Sequence, residues 1–207
     1  MVDRSRAIAA LVFVSACAGA QKPAAPELSA RDYAPIPVGA SWTYEMEFPG
    51  QKGEMTVRLS GEKDGFVLFD DGKGQWQHTQ AGLRDSDRFL IRHPLVVGTE
   101  WKSVVGPSAV EHMKIESVGR RCESVAGAFD DCLVVLGWIR RDKDVVLYIR
   151  WFWARNVGLV KVETEAEIAG KGKVPQTRQS LKHYSLSGGE APARAETDDG
   201  PDTWVTE

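Results

Sequence analysis

The chain has 207 residues, of which 43% are hydrophobic and 27% are charged, and its formal net charge is −3. Between Asp32 and Leu186 acidic and basic residues are equal in number, so we expect no basic surface of the kind that nucleic acid binding requires. These values exclude nucleic acid as a partner and fit one folded domain with a sizeable core.

The first residues have the pattern of a secretory signal peptide. Arg4 and Arg6 precede the apolar run AIAALVFVSA, which ends in small residues before Cys17. A positive start, a short apolar segment and small residues at its end are typical of such signals. About ten apolar residues are too few to cross a bilayer as a helix, which needs roughly 20. We therefore predict that residues 1–16 are removed.

The end of that run, VSAC (residues 14–17), resembles the lipobox of bacterial lipoproteins. In that family the cysteine becomes the first residue of the mature chain and carries a diacylglyceryl thioether and an N-acyl group. The resemblance implies that Cys17 is lipidated and that a membrane is a partner through this anchor. Ala18 follows the cysteine, which for a Gram-negative host implies the outer membrane, with the domain facing the periplasm. An ordinary secretory signal with an incidental cysteine is the alternative.

Two segments of different composition flank the predicted domain. Residues 17–31 are small, polar and contain proline, as in a flexible tether. Residues 187–207 are acidic and have the composition of a disordered tail, with Trp204 as the exception. The sequence therefore predicts one domain over residues 32–186.

That domain reads as β-structure almost throughout. Apolar and polar residues alternate in short runs such as MKIES and LVKVE, which is the pattern of half-buried strands. Turn residues recur about every ten positions, as in antiparallel meanders. We predict an all-β fold: a single strongly curved antiparallel sheet or open barrel of roughly nine to eleven strands. One or two short helices are allowed, with residues 80–88 as a possible place. The predicted strands cover residues 42–48, 55–61, 65–70, 75–79, 88–94, 109–118, 132–141, 145–153, 158–168 and 178–186.

Two octapeptides, PIPVGASW (35–42) and PLVVGTEW (94–101), match at Pro, Val, Gly and Trp. In each, proline favours an extended approach, glycine permits a bend, and tryptophan can fill the inner face of a sheet. We expect similar local structure at both places, each leading into a strand.

Two cysteines remain once Cys17 is assigned to lipid. In an oxidising compartment Cys122 and Cys132 are expected to form a disulfide. They flank Ala126-Gly127 at the predicted tip of a hairpin, so the bond would fix the register of its two arms. A metal site formed by the two cysteines is the alternative, but no histidine or further cysteine lies nearby in sequence.

Four motifs occur in the order typical of a group of secreted bacterial β-domains. They are YAPIPVGASWTY, PLVVGTEW, VAGAFDDC and WARNVGLVKVE. On these motifs the chain resembles the TapB-like and DUF3108-like periplasmic and lipoprotein domains, most of which have no known function. The resemblance covers residues 33–163 and implies the fold, whereas Val125, Arg155-Asn156 and Trp153 depart from the group's pattern.

Tryptophan is the most conspicuous residue of the predicted strands. Trp151 and Trp153 share parity and point to one face of their strand, whereas Phe152 points to the other. Because both faces are aromatic there, we expect both to be covered, by the core, by a ligand or by a partner. We assign Trp42, Trp101, Trp151 and Trp153 as candidate apolar-ligand residues; core filling is the alternative.

No pattern of catalytic residues is found. The histidines His78, His93, His112 and His183 are scattered, and paired acids such as Asp130-Asp131 look like turn residues. We predict no catalytic residue, no metal and no cofactor. The leading interpretation is a non-enzymatic lipoprotein whose concave face or sheet edge binds an apolar ligand or an envelope protein. The alternatives are a structural or assembly lipoprotein with a solid core that docks to an envelope complex, and a hydrolase on a β-scaffold.

Overall fold

The structure, a computed structural model, describes residues 28–106 and 109–186. The predicted signal peptide, the predicted lipidation site Cys17, most of the predicted tether and the acidic tail lie outside the described residues. Among the described residues no helix is both long and apolar enough to cross a membrane.

One short helix precedes twelve strands. The helix α1 is Ala30–Tyr33, and the strands are β1 (Ser41–Phe48), β2 (Gln51–Lys63), β3 (Phe66–Phe69), β4 (Gln75–Thr79), β5 (Gly82–Arg84), β6 (Phe89–Arg92), β7 (Glu100–Gly106), β8 (Ala109–Ser124), β9 (Gly127–Arg140), β10 (Val145–Ala154), β11 (Gly158–Ile168) and β12 (Gly172–Ser185).

All strands belong to one antiparallel sheet with the order β6-β5-β4-β3-β2-β1-β12-β11-β10-β9-β8-β7. The sheet curls into a nearly closed barrel, and its two edge strands, β6 and β7, face each other across an open seam. The predicted fold class is confirmed. The twelve strands exceed the nine to eleven expected. Two of them, β7 and β5, are not among the ten predicted ranges, and β5 has only three residues, too few to show alternation. It occupies the segment where a short helix was allowed.

Alternation along each strand separates the barrel interior from its outer face. In β7 the side chains of Trp101 and Ser103 are buried, whereas Lys102 and Val104 are exposed. The same period holds in β8 from Val110 to Glu116, where buried residues alternate with exposed or half-buried ones. Apolar side chains therefore line the inside, as the two-residue period of a strand requires.

The β8–β9 hairpin carries the predicted disulfide between Cys122 and Cys132, whose Cα atoms are 6.1 Å apart. Its tip is at Val125-Ala126, one residue before the predicted position, and it lies against β12. The Ala126 N–H donates to the Leu181 carbonyl at 2.7 Å. Both cysteines belong to one of two clusters of buried apolar residues.

Both faces of β10 are covered by the chain itself. Phe152 packs against the cluster that contains the cysteines, whereas Trp151 and Trp153 belong to the other cluster.

The two matching octapeptides form the same turn. The Gly39 N–H donates to the Leu59 carbonyl at 2.7 Å, and the Gly98 N–H donates to the Ile115 carbonyl at 2.9 Å. Both glycines have positive φ, 89° and 94°, which favours glycine over any other residue. The expected similarity of local structure is thus found, with one turn before β1 and the other before β7.

Helix α1 packs against the end of the barrel where β1 and β7 begin. The Tyr33 hydroxyl donates to Asp131 Oδ1 at 2.7 Å, and the Asn156 N–H donates to the Asp32 carbonyl at 2.7 Å. Ala30 and Tyr33 are buried, although Ala30 falls in the stretch expected to be tether. Asp131 lies in β9 and holds α1, so its role is structural rather than that of a solvated turn residue.

Candidate functional site

The four tryptophans assigned from the sequence lie inside the barrel. Trp42, Trp101, Trp151 and Trp153 are all buried, with at most 7% of their surface exposed. A fifth ring, Trp76 of β4, joins two of them: its centroid is 6.5 Å from that of Trp42 and 5.7 Å from that of Trp153, both edge to face. Such aromatic pairs add stability beyond the area that they bury.

Hydrogen bonds fix two of these indoles. The Trp42 Nε1–H donates to the Val157 carbonyl at 2.8 Å, and the Trp101 Nε1–H donates to the Phe89 carbonyl at 2.9 Å. The second bond reaches across the seam from β7 to β6. The Trp153 Nε1–H has no hydrogen-bond partner within the described part of the chain. In this arrangement the indoles are core residues, and their assignment as ligand-binding residues stays a prediction.

An ion pair also spans the seam. Arg88 precedes β6, and its Nη1 lies 2.6 Å from Glu111 Oε2 of β8. Glu111 is only 2% exposed, and the Arg88 guanidinium lies 5.4 Å from the Trp151 ring centroid. Because a buried carboxylate needs a charged partner, this pair links the two edges of the sheet on the inner side.

The outer face of β8, β9 and β10 carries a groove of about 560 Å³, which we call the outer groove. Its apolar wall includes a stacked pair, His112 and Trp138, with ring centroids 5.3 Å apart. The groove is lined by Val110, His112, Trp138, Arg140, Asp142 and Val146. Exposed apolar side chains in one contiguous patch are typical of contact surfaces.

The outer groove continues to the free edge of the sheet. Val110 pairs with Val104 of β7, and Val104 is 71% exposed. Among the described strands β7 pairs with β8 alone; its other edge faces the seam, where the Trp101 side chain bonds the Phe89 carbonyl. The sequence did not distinguish this surface, because Trp138 has the same setting in a predicted strand as the buried tryptophans. The alternation in WIRR and EHM could have placed Trp138 and His112 on the outer face.

Three of the four histidines make structural contacts at separate places. His93 accepts a hydrogen bond from the Ala30 N–H at Nε2, at 2.9 Å. His78 Nε2 bonds the Ala34 carbonyl at 2.8 Å, and burial lowers the pKa of its ring. His112 stacks on Trp138, and His183 is exposed. Among the described residues no group of three or more His, Cys, Asp or Glu side chains could hold a metal ion.

No protein-family model matches the chain, and no curated protein matches it. The resemblance to TapB-like and DUF3108-like domains therefore stays a prediction.

Two solved structures are similar to the chain at low identity. One is a candidate exported protein with a YmcC-like fold from Bacteroides fragilis, with 13% identity and a TM-score of 0.44. The other is a candidate lipoprotein from Parabacteroides distasonis, with 13% identity and a TM-score of 0.40. Each match covers 74% of this chain and 98% of the other chain.

Proposed function

We propose that this chain is a lipid-anchored, non-enzymatic protein of the cell envelope that binds another envelope protein through the outer groove and the edge strand β7. Lipidation of Cys17 would supply the anchor, and Ala18 favours the outer membrane, with the domain facing the periplasm of a Gram-negative host. What supports the anchor is the sequence from Arg4 to Cys17.

The observation that carries this proposal is the distribution of apolar surface. The interior is occupied by buried indole rings, while apolar side chains are exposed on the outer face beside β7, which pairs with β8 alone among the strands that the structure describes. An edge strand offers unpaired backbone donors and acceptors to an extended segment of another chain. Val104 and Val110 would bury apolar surface in the same contact, contributing about 25 cal/mol per Å².

The interior offers less support for the apolar-ligand alternative. A ligand inside the barrel would have to displace indoles that are hydrogen-bonded or packed edge to face, such as Trp42 and Trp76. Binding inside the barrel would therefore require these side chains to move. What supports the proposed lack of catalysis is that His78, His93 and His112 make separate structural contacts and that His183 is exposed.

Site-specific photocrosslinking in the native envelope tests this function. A photoreactive residue at position 110 is expected to form an adduct of one defined mass with an envelope protein. The matched position 174 on β12, also an exposed valine, should form none, and Val104→Asp should abolish the adduct at 110. Equal labelling at both positions would contradict the proposal. Native mass spectrometry of the purified protein separates the alternatives, because a stoichiometric bound lipid would favour the apolar-ligand reading.

A further inference from the structure

The two similar turns lie at the same end of the barrel. Strands β1 and β7 are six steps apart in the antiparallel order, so they run in the same direction and begin at the same end. Helix α1 lies at this end too, since the chain passes from Tyr33 through residues 34–40 into β1. We call this the tether end.

Exposed valines occupy the turns at the tether end. Val96 and Val97 are each 59% exposed, and Val38 holds the equivalent exposed position in the other turn. The turn at Val96 is well fixed, because the Thr99 N–H donates to the Val96 carbonyl at 3.0 Å and Gly98 is bonded to Ile115. Turn tips usually carry Gly, Asn, Asp or Ser. Two adjacent exposed valines on a turn fixed in this way therefore indicate a contact outside the domain.

The chain leading back to Cys17 enters the domain beside these valines. The Ala30 N–H is bonded to the His93 ring at 2.9 Å, and His93 directly precedes the turn at residues 94–99. Leu28 is eleven positions after Cys17, and a flexible chain of that length has an average span of about 18 Å. A lipid anchor at Cys17 would thus hold the turn within reach of the bilayer surface.

Two arginines lie beside the point where the chain from Cys17 enters the domain. Arg31 follows Ala30, and Arg92 precedes His93; both are exposed, and neither forms an ion pair with another described residue. Basic side chains near a bilayer are attracted by anionic lipid headgroups. A membrane surface has a polar headgroup layer above an apolar acyl layer. Valines at the tip would reach the acyl boundary, while the arginines beside them would contact the headgroups.

We propose that the tether end rests on the bilayer, with Val96 and Val97 inserted into its interface. This inference depends on the anchor at Cys17 that the proposed function includes. The barrel axis then points away from the bilayer, and the outer groove lies near the opposite end of the barrel, where β7 ends and β8 begins. The partner at the tether end is a lipid surface rather than a protein.

Fluorescence from a probe at position 97 tests this contact in the full lipidated chain. With Cys17 acylated and Cys122 and Cys132 oxidised, Val97→Cys supplies a free thiol for the environment-sensitive dye NBD. The protein is reconstituted into vesicles of phosphatidylethanolamine and phosphatidylglycerol, with or without nitroxide-bearing lipids. The matched control is Val104→Cys, a more exposed valine further along β7.

We expect the label at 97 to shift to shorter wavelength and to lose most of its intensity to the nitroxide lipids, while the label at 104 does neither. If the protein floats with the vesicles but the two labels behave alike, the contact at Val97 is contradicted and the anchor is not. If the unlabelled chain, expressed with its own signal sequence, does not float with the vesicles, both the anchor and the contact are contradicted. Identical unfolding curves of the labelled proteins are the control for folding.

Discussion

The indole ring of Trp151 occupies the space into which a side chain at Gly137 would project. A Cβ atom at Gly137 would lie 2.7 Å from Cζ3 of Trp151 and 2.9 Å from the sulfur of Met113. The two residues are on neighbouring strands, since Gly137 pairs with Ile149. The missing side chain in β9 therefore leaves room for the large ring of β10 inside the barrel.

Gly137→Ala is expected to destabilise the domain by about 1–3 kcal/mol, the usual cost of overpacking a core. Urea denaturation followed by tryptophan fluorescence measures the change. Gly53→Ala in β2 is the matched control, because a Cβ there meets no atom within 4 Å and alanine is the better strand residue. Trp151→Phe should reduce the cost of Gly137→Ala; a cost that stays the same in that background would contradict the proposed clash.

Loss of Arg88 is expected to be costly because Glu111 is buried. Arg88→Met leaves a buried carboxylate without its partner and should lower the free energy of unfolding by about 3 kcal/mol. Adding Glu111→Gln removes the charge, so the double variant should recover much of the loss. The exposed pair Lys52–Glu47 is the control, and Lys52→Met should change little. Additive effects of the two seam substitutions would show that the residues do not interact.

Removal of the disulfide is expected to weaken the hairpin and the domain together. The cysteines are 10 residues apart in sequence, and the chain-entropy model gives about 2–3 kcal/mol for closing so short a loop. Cys122→Ala with Cys132→Ala should lower the urea midpoint accordingly. Reductant should have the same effect on the unmodified chain and none on the double variant. A midpoint that neither treatment moves would show that strand pairing alone fixes the hairpin.

The stability of the domain should fall in mild acid, and His78 should account for part of this. Burial lowers the pKa of His78 below its ordinary value of 6.5, so the unfolded chain binds the proton more readily. The stability that this residue contributes is present above about pH 6.5 and is lost as the pH falls through the folded-state pKa. His78→Gln should flatten this part of the stability curve. The exposed His183→Gln is the control, and parallel curves for His78→Gln and the unmodified chain would contradict the assignment.

The sequence by itself determined the local features of this protein. Alternation of apolar and polar residues placed most strands, because a strand has two faces and a period of two. The octapeptides around Gly39 and Gly98 indicated equivalent turns, since positive φ at one position restricts the residue to glycine. The spacing of Cys122 and Cys132 indicated a hairpin closed by a disulfide. Each of these features depends on residues that are close together along the chain.

The tertiary structure alone decided which surfaces are inside and which are free. Parity says that Trp138 lies on one face and Ile139 on the other, but burial depends on which strands pair and how far the sheet curls. For the same reason the sequence could not predict three features of the tertiary structure: the seam between β6 and β7, the ion pair from Arg88 to Glu111, and the contact of Tyr33 with Asp131. These partners are far apart in sequence, and local periodicity carries no information about the closure that brings them together.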